Sequence, residues 1–166
     1  MEQRYRIMDA SVLLEEYRRL LPEAETLPLI ISGNSMSPFL IHRRDTVHLA
    51  AVGNRKLKKG DMVLYRRDNG QYVLHRICRV RKDTFDLIGD AQTETEKGIR
   101  REQIFAVVKR AERKGKTQEK GKLLWEFFEK IWVRIIPLRP LCRKGYGVLH
   151  RLRKNKGNTD EMRRKA

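Results

Sequence analysis

Three stretches of this 166-residue chain carry side chains suited to joint acid–base chemistry. The first, Ser32-Gly33-Asn34-Ser35-Met36-Ser37-Pro38, presents a serine after a flexible Gly-Asn pair. A serine hydroxyl becomes a useful nucleophile only when the backbone exposes it and a base lies within hydrogen-bond reach. Gly33 permits a tight turn or a close approach, and Pro38 keeps Ser37 out of helical geometry. These residue types also build ordinary loops; what sets this stretch apart lies downstream. His75, in Tyr72-Val73-Leu74-His75-Arg76-Ile77, starts from a pKa near 6.5 and suits the role of base. The third stretch, Ile88 to Gly98, brings the carboxylates Asp90, Glu94 and Glu96. One of them can orient an imidazole and stabilise its charged form. An alcohol, an imidazole and a carboxylate together do nucleophilic acyl transfer.

The elements that must position these groups are mostly short strands. A helical pattern over residues 9–21, with Asp9 or Ser11 as cap, places Val12, Leu13, Tyr17, Leu20 and Leu21 in a stripe and stops at Pro22. Leu29-Ile30-Ile31 predicts a strand running into the serine turn, and Asp45–Val52 predicts another. Met62–Tyr65 and Gln71–Val80 flank Asp68-Asn69-Gly70, a strong hairpin signal because Asn-Gly accepts positive φ. Thr84–Ile88 and Ile104–Lys109 complete the set. Short strands without alternating helices predict a mainly β, antiparallel domain. Alternation along a strand puts His75 on one face with Val73 and Ile77, and Leu74, Arg76 and Cys78 on the other. A Cys78–His75 dyad is therefore unfavourable. Lys56, Lys58 and Lys59 fall in a polar turn, where lysine is normally solvated.

Charge divides the chain. Residues 109–166 hold 19 Lys/Arg against 6 Asp/Glu, whereas residues 1–108 hold 19 against 15, within a net +17. A basic end attracts polyanions, either nucleic acid or an anionic membrane. Gly115–Gly121 reads as a linker, and Leu123–Ile136 as an amphipathic helix with Trp125, Phe128, Trp132 and Ile136 on one face. Such a helix suits either the headgroup region of a membrane or the flank of the β-domain. A short helix or irregular chain over 145–152 and a polar, disordered end from 154 to 166 are expected. The organisation is thus an N-terminal helix (1–26), a catalytic β-domain (27–114) and a basic extension (115–166). Cys78 and Cys142 form neither a metal motif nor a disulfide framework. Without a secretory apolar core or a spanning segment, the expected location is the cytoplasm, peripheral to a membrane where the extension meets lipid.

Ser35-Met36-x-Pro38, Gly60-Asp61-Met62-Val63, His75-Arg76 and Gly89-Asp90 occur in this order over residues 27–110. In that order they resemble the markers of signal peptidases and LexA-type repressor proteases, which share a β-rich catalytic fold. Gly33-Asn34-Ser35-Met36 is similar to the repressor branch. His75-Arg76 resembles the endoplasmic-reticulum and archaeal signal peptidases, which use histidine where bacterial enzymes and repressors use lysine. The resemblance implies a serine endopeptidase with Ser35 as nucleophile and His75 as base. In that branch an aspartate beyond Gly-Asp completes the site; the matching position here is Glu96, so the third member is Asp90 or Glu96. Signal peptidases often hold the oxyanion with a hydroxyl two residues before the nucleophile. Gly33 stands there, so the donors implied are the backbone N–H groups of Asn34 and Ser35. The implied substrate is an extended peptide with small residues before the cut, bound as an added strand. No cofactor or metal is implied. A catalytically silent module that grips peptide or an anionic membrane is the alternative. Nucleic acid is the weaker partner, because the first 26 residues leave no room for a helix-turn-helix. No Ala-Gly or Cys-Gly dipeptide occurs for repressor-like self-cleavage.

Overall fold

The computed structural model describes residues 10–139. The Asp9 cap, Cys142, the short helix or irregular chain expected over 145–152 and the polar end lie outside the described residues. Helix α1 spans Ala10–Leu20, and the strands are β1 (Leu27–Ile30), β2 (Thr46–Ala51), β3 (Met62–Arg66), β4 (Tyr72–Val80), β5 (Thr84–Ile88), β6 (Glu96–Arg100), β7 (Ile104–Arg113) and β8 (Lys116–Glu119). They form one antiparallel sheet in the order β1-β2-β7-β3-β4-β5-β6, with β8 also on β7. The mainly β expectation therefore holds.

Central strand β3 is buried on both faces. Met62 and Leu64 join a core with Met36, Phe39, Leu40, Val47 and Leu49. Val63 and Tyr65 join a second with Ile77, Leu87, Ile99 and Val107. Register shifts at His48/Leu49, Leu64/Tyr65, Ile77/Arg79 and Phe85/Leu87 interrupt the ladder. Bulges of this kind bend strands and increase twist, which allows one sheet to shelter two cores.

Two strands are additions to the sequence reading. β6 buries only Ile99, so no apolar alternation announces it. β8 is wholly polar and forms a hairpin with β7 through Lys114 (φ 49°) and Gly115 (φ 71°). Two successive positive φ values make a turn whose twist matches the strands. The expected linker at 115–121 is thus a hairpin arm continuous with the main sheet.

The expected single helix over 123–136 is instead α2 (Leu123–Glu126), a wider π turn (Phe127–Trp132) and a short 3-10 turn (Ile136–Leu138). Trp125, Phe128 and Trp132 are buried, and Phe39 packs on Trp125 and Phe128 with centroids 5.8 and 4.9 Å away. The stripe offered by sequence to either lipid or protein faces the sheet. Outward-facing residues are Leu123, Phe127 and Ile131 instead. Among the described residues, no helix is long and apolar enough to cross a membrane.

At the other end, α1 lies across strand ends. The Tyr17 hydroxyl donates to the Pro28 carbonyl at 2.5 Å, and Glu15 meets both the Tyr72 hydroxyl and Arg66.

Candidate active site

The serine turn is fixed from both sides. Ile31 N–H donates to Asp45 O at 2.9 Å and Arg43 N–H to Ile31 O at 2.8 Å, tying the turn's start to β2. Gly33 has φ 93°, a conformation that costs a β-carbon-bearing residue energy. Its N–H donates to His42 Nδ1 at 2.9 Å. Met36, Phe39 and Leu40 are buried and anchor the exit, leaving Ser35 half-buried at the rim of a groove of about 520 Å³. Leu13, Leu14, Ile31, Leu64 and Leu74 give this groove apolar walls, and His75 lines it too. Thus Ser35 and His75, 40 positions apart in sequence, share one cleft. Among the described residues no hydrogen bond joins the Ser35 hydroxyl to the imidazole. Neither the Asn34 nor the Ser35 amide donates to a described acceptor.

His75 is positioned by strand register. It lies opposite Val63 on β3 and diagonal to Tyr65, so all three share a face. The row Ile77–Leu87–Glu96 crosses from β4 through β5 to β6, and it delivers Glu96 to that face. His75 Nδ1 lies 3.2 Å from Tyr65 Oη and 3.4 Å from Glu96 Oε1. Arg67 clamps both oxygens of the Glu96 carboxylate with two hydrogen bonds, one from Nε to Oε2 at 2.8 Å. Tyr65 also bonds Glu96. With Nδ1 facing this network, Nε2 is the ring nitrogen that takes no part in it.

The electrostatics follow from these contacts. His75 is 1% exposed, and burial pushes its pKa down to about 4, with Glu96 pulling the other way. The imidazole is therefore neutral at pH 7, as a base must be. Burial works against the Glu96 carboxylate, but the hydrogen bonds from Arg67 and Tyr65 outweigh it and hold its pKa below the ordinary value. Burial raises the Tyr65 phenol, and the Glu96 bond raises it further, so Tyr65 stays a donor.

The other candidate carboxylate goes elsewhere. Asp90 follows Ile88 on the face opposite His75, where Arg76 also points. Its two oxygens accept from Arg76 Nε at 2.9 Å and Nη2 at 2.8 Å, both partners almost fully buried. Geometry therefore sets Glu96, not Asp90, against the histidine. Lys56, Lys58 and Lys59 are exposed. Cys78 is buried on the far face, with its thiol donating to Asp86 O at 3.2 Å. No group of three or more His, Cys, Asp or Glu is placed to hold a metal among the described residues.

Sequence reading missed Tyr65 and Arg67. A signal was present: counting outward from a hairpin centred on Asn69 pairs 65 with 73 and 63 with 75, which puts Tyr65 beside the histidine. Comparison with known proteins finds no family, curated protein or solved structure that matches this chain.

Proposed function

We propose that the chain is a serine endopeptidase in which Ser35, His75 and Glu96 act as nucleophile, base and orienting carboxylate. The observation that carries this reading is a groove-lining histidine whose Nδ1 is engaged by Glu96 and Tyr65, in the same cleft as Ser35. Ser35 Oγ attacks the scissile carbonyl while its proton passes to His75 Nε2. The imidazolium is stabilised by Glu96 and then gives that proton to the leaving amine. Water hydrolyses the acyl-enzyme by the same relay in reverse. The Asn34 and Ser35 amides are suited to receive the oxyanion, and one such donor is worth about 10²–10³ in rate. The substrate is an extended peptide.

A catalytically silent peptide-binding module is the second reading. It is favoured by the missing hydrogen bond between the Ser35 hydroxyl and the imidazole, although such bonds often tighten only when substrate binds. A fluorophosphonate probe read by intact mass separates the two. The endopeptidase is expected to gain one adduct, lost in Ser35→Ala and slowed about 10²–10⁴-fold in His75→Ala. Folded wild type that stays unlabelled at high probe concentration overturns the enzyme reading.

A further inference from the structure

The loop behind the serine turn is held by the C-terminal segment. Ala91 N–H donates to Ser35 O at 2.8 Å, so residues 89–92 grip the nucleophile's own carbonyl. The approach is close: a β-carbon at Gly89 would sit 2.5 Å from that oxygen. Within the loop, Gly89 N–H donates to Gln92 Oε1 at 3.0 Å, and the Asp90 side chain is held by Arg76.

Outer support comes from two residues 42 to 50 positions downstream of the carbonyls they hold. Trp132 Nε1 donates to Asp90 O at 2.9 Å. Arg139 Nη1 donates to Gly89 O at 2.8 Å and to Gln92 O at 2.9 Å. Arg139 Nη2 also donates to Trp132 O at 3.1 Å, and the guanidinium lies 5.5 Å from the Trp132 ring centre. Arg139 is 0% exposed. A buried guanidinium whose hydrogen-bond partners are main-chain carbonyls is an expensive way to fill space, because cations pair with carboxylates when burial alone is at stake. Here its planar fork suits carbonyls of one loop and of the segment that carries it.

We propose that Trp132 and Arg139 are positioning residues for Ser35: together they set the 89–92 loop, which sets the orientation of the nucleophile turn. This rests on the serine-endopeptidase reading and deepens it. The 123–139 segment is then part of the site, and displacing it would detune the serine with His75 and Glu96 untouched.

Trp132→Phe keeps an aromatic ring, a smaller one, and removes the donor; Arg139→Lys keeps the charge and removes the fork. In both, the limiting rate of fluorophosphonate acylation is expected to fall by about three- to tenfold, the worth of a hydrogen bond. Half-saturating probe concentration stays near the wild-type value, and so does the acid limb of the pH profile. Amide hydrogen exchange reads the same clamp without turnover: Ala91 is expected to exchange at least threefold faster in both variants, with β3 and β4 amides unchanged. Folded variants with wild-type acylation and wild-type Ala91 exchange overturn the proposal. Wild type that resists the probe, combined with faster Ala91 exchange in the variants, ends the enzyme reading and leaves the clamp standing.

Discussion

Two aspartate-or-glutamate candidates that sequence left equal are separated by the company they keep. Asp90 shares a buried, bidentate pair with Arg76, while Glu96 meets Tyr65, Arg67 and His75 at the groove. Removing one partner of a buried pair strands the other charge, at a cost of about 3–5 kcal/mol. Asp90→Asn is therefore expected to lower the denaturation midpoint sharply. Glu96 and Arg67 are partly exposed, 26% and 30%, so Glu96→Gln should change stability by less than about 1 kcal/mol. Its effect falls on kcat, on the order of 10²-fold or more, because the imidazole loses its orienting charge. Chemical denaturation beside steady-state cleavage tests both; reversal of the pattern would reassign the carboxylates. Alternation alone placed His75 and Arg76 on opposite faces. What sequence did not reveal was which acid belonged to which face, since that depends on register across β5 and β6. Glu96 reaches His75 through a row passing Leu87 and Ile77, and no local pattern encodes that row.

Among the elements, the hairpins divide by how strongly turn chemistry speaks. Asp68-Asn69-Gly70 announced the β3–β4 hairpin. Lys114-Gly115 makes a tighter, two-residue turn, yet a polar partner strand disguised it as a linker. The 123–136 pattern correctly grouped Trp125, Phe128 and Trp132, but a period near 3.6 does not distinguish an α-helix from one that widens at Phe127. Close approach is a second element-scale property invisible to pattern. Gly89 has an ordinary φ, and its need for hydrogen in place of a side chain comes from the Ser35 carbonyl behind it. Gly89→Ala forces that carbonyl to move, with an overpacking cost of about 1–3 kcal/mol. The expected result is a lowered melting temperature with acylation of Ser35 reduced more than tenfold. Wild-type acylation in this variant would show that the turn tolerates displacement.

At the scale of the whole molecule, stability should depend on pH through His75. Its folded pKa of about 4 lies below the ordinary value of 6.5, so between these limits the unfolded chain binds more protons. Stability is complete above pH 6.5 and is lost as pH falls toward 4. About 2.5 pH units at 1.36 kcal/mol each amount to roughly 3 kcal/mol. The groups facing the ring are Glu96, Arg67 and Tyr65, and Asp90 acts on it only through space from the opposite face. Unfolding free energy measured across pH 4–7 should therefore slope upward in wild type, and the slope should flatten in His75→Gln. An unchanged slope in that variant would assign the dependence to other groups. The sheet's first strand carries a different consequence. Because Ile31 turns both its main-chain groups toward the β2 side, Pro28 and Ile30 turn theirs outward. Proline offers no N–H, and Tyr17 already occupies its carbonyl. Within β1, a guest chain laid along this border therefore finds one open rung, at Ile30, which lines the same groove as Ser35. Its berth is short, and on the endopeptidase reading its alignment is decided beside the serine proposed to cut it.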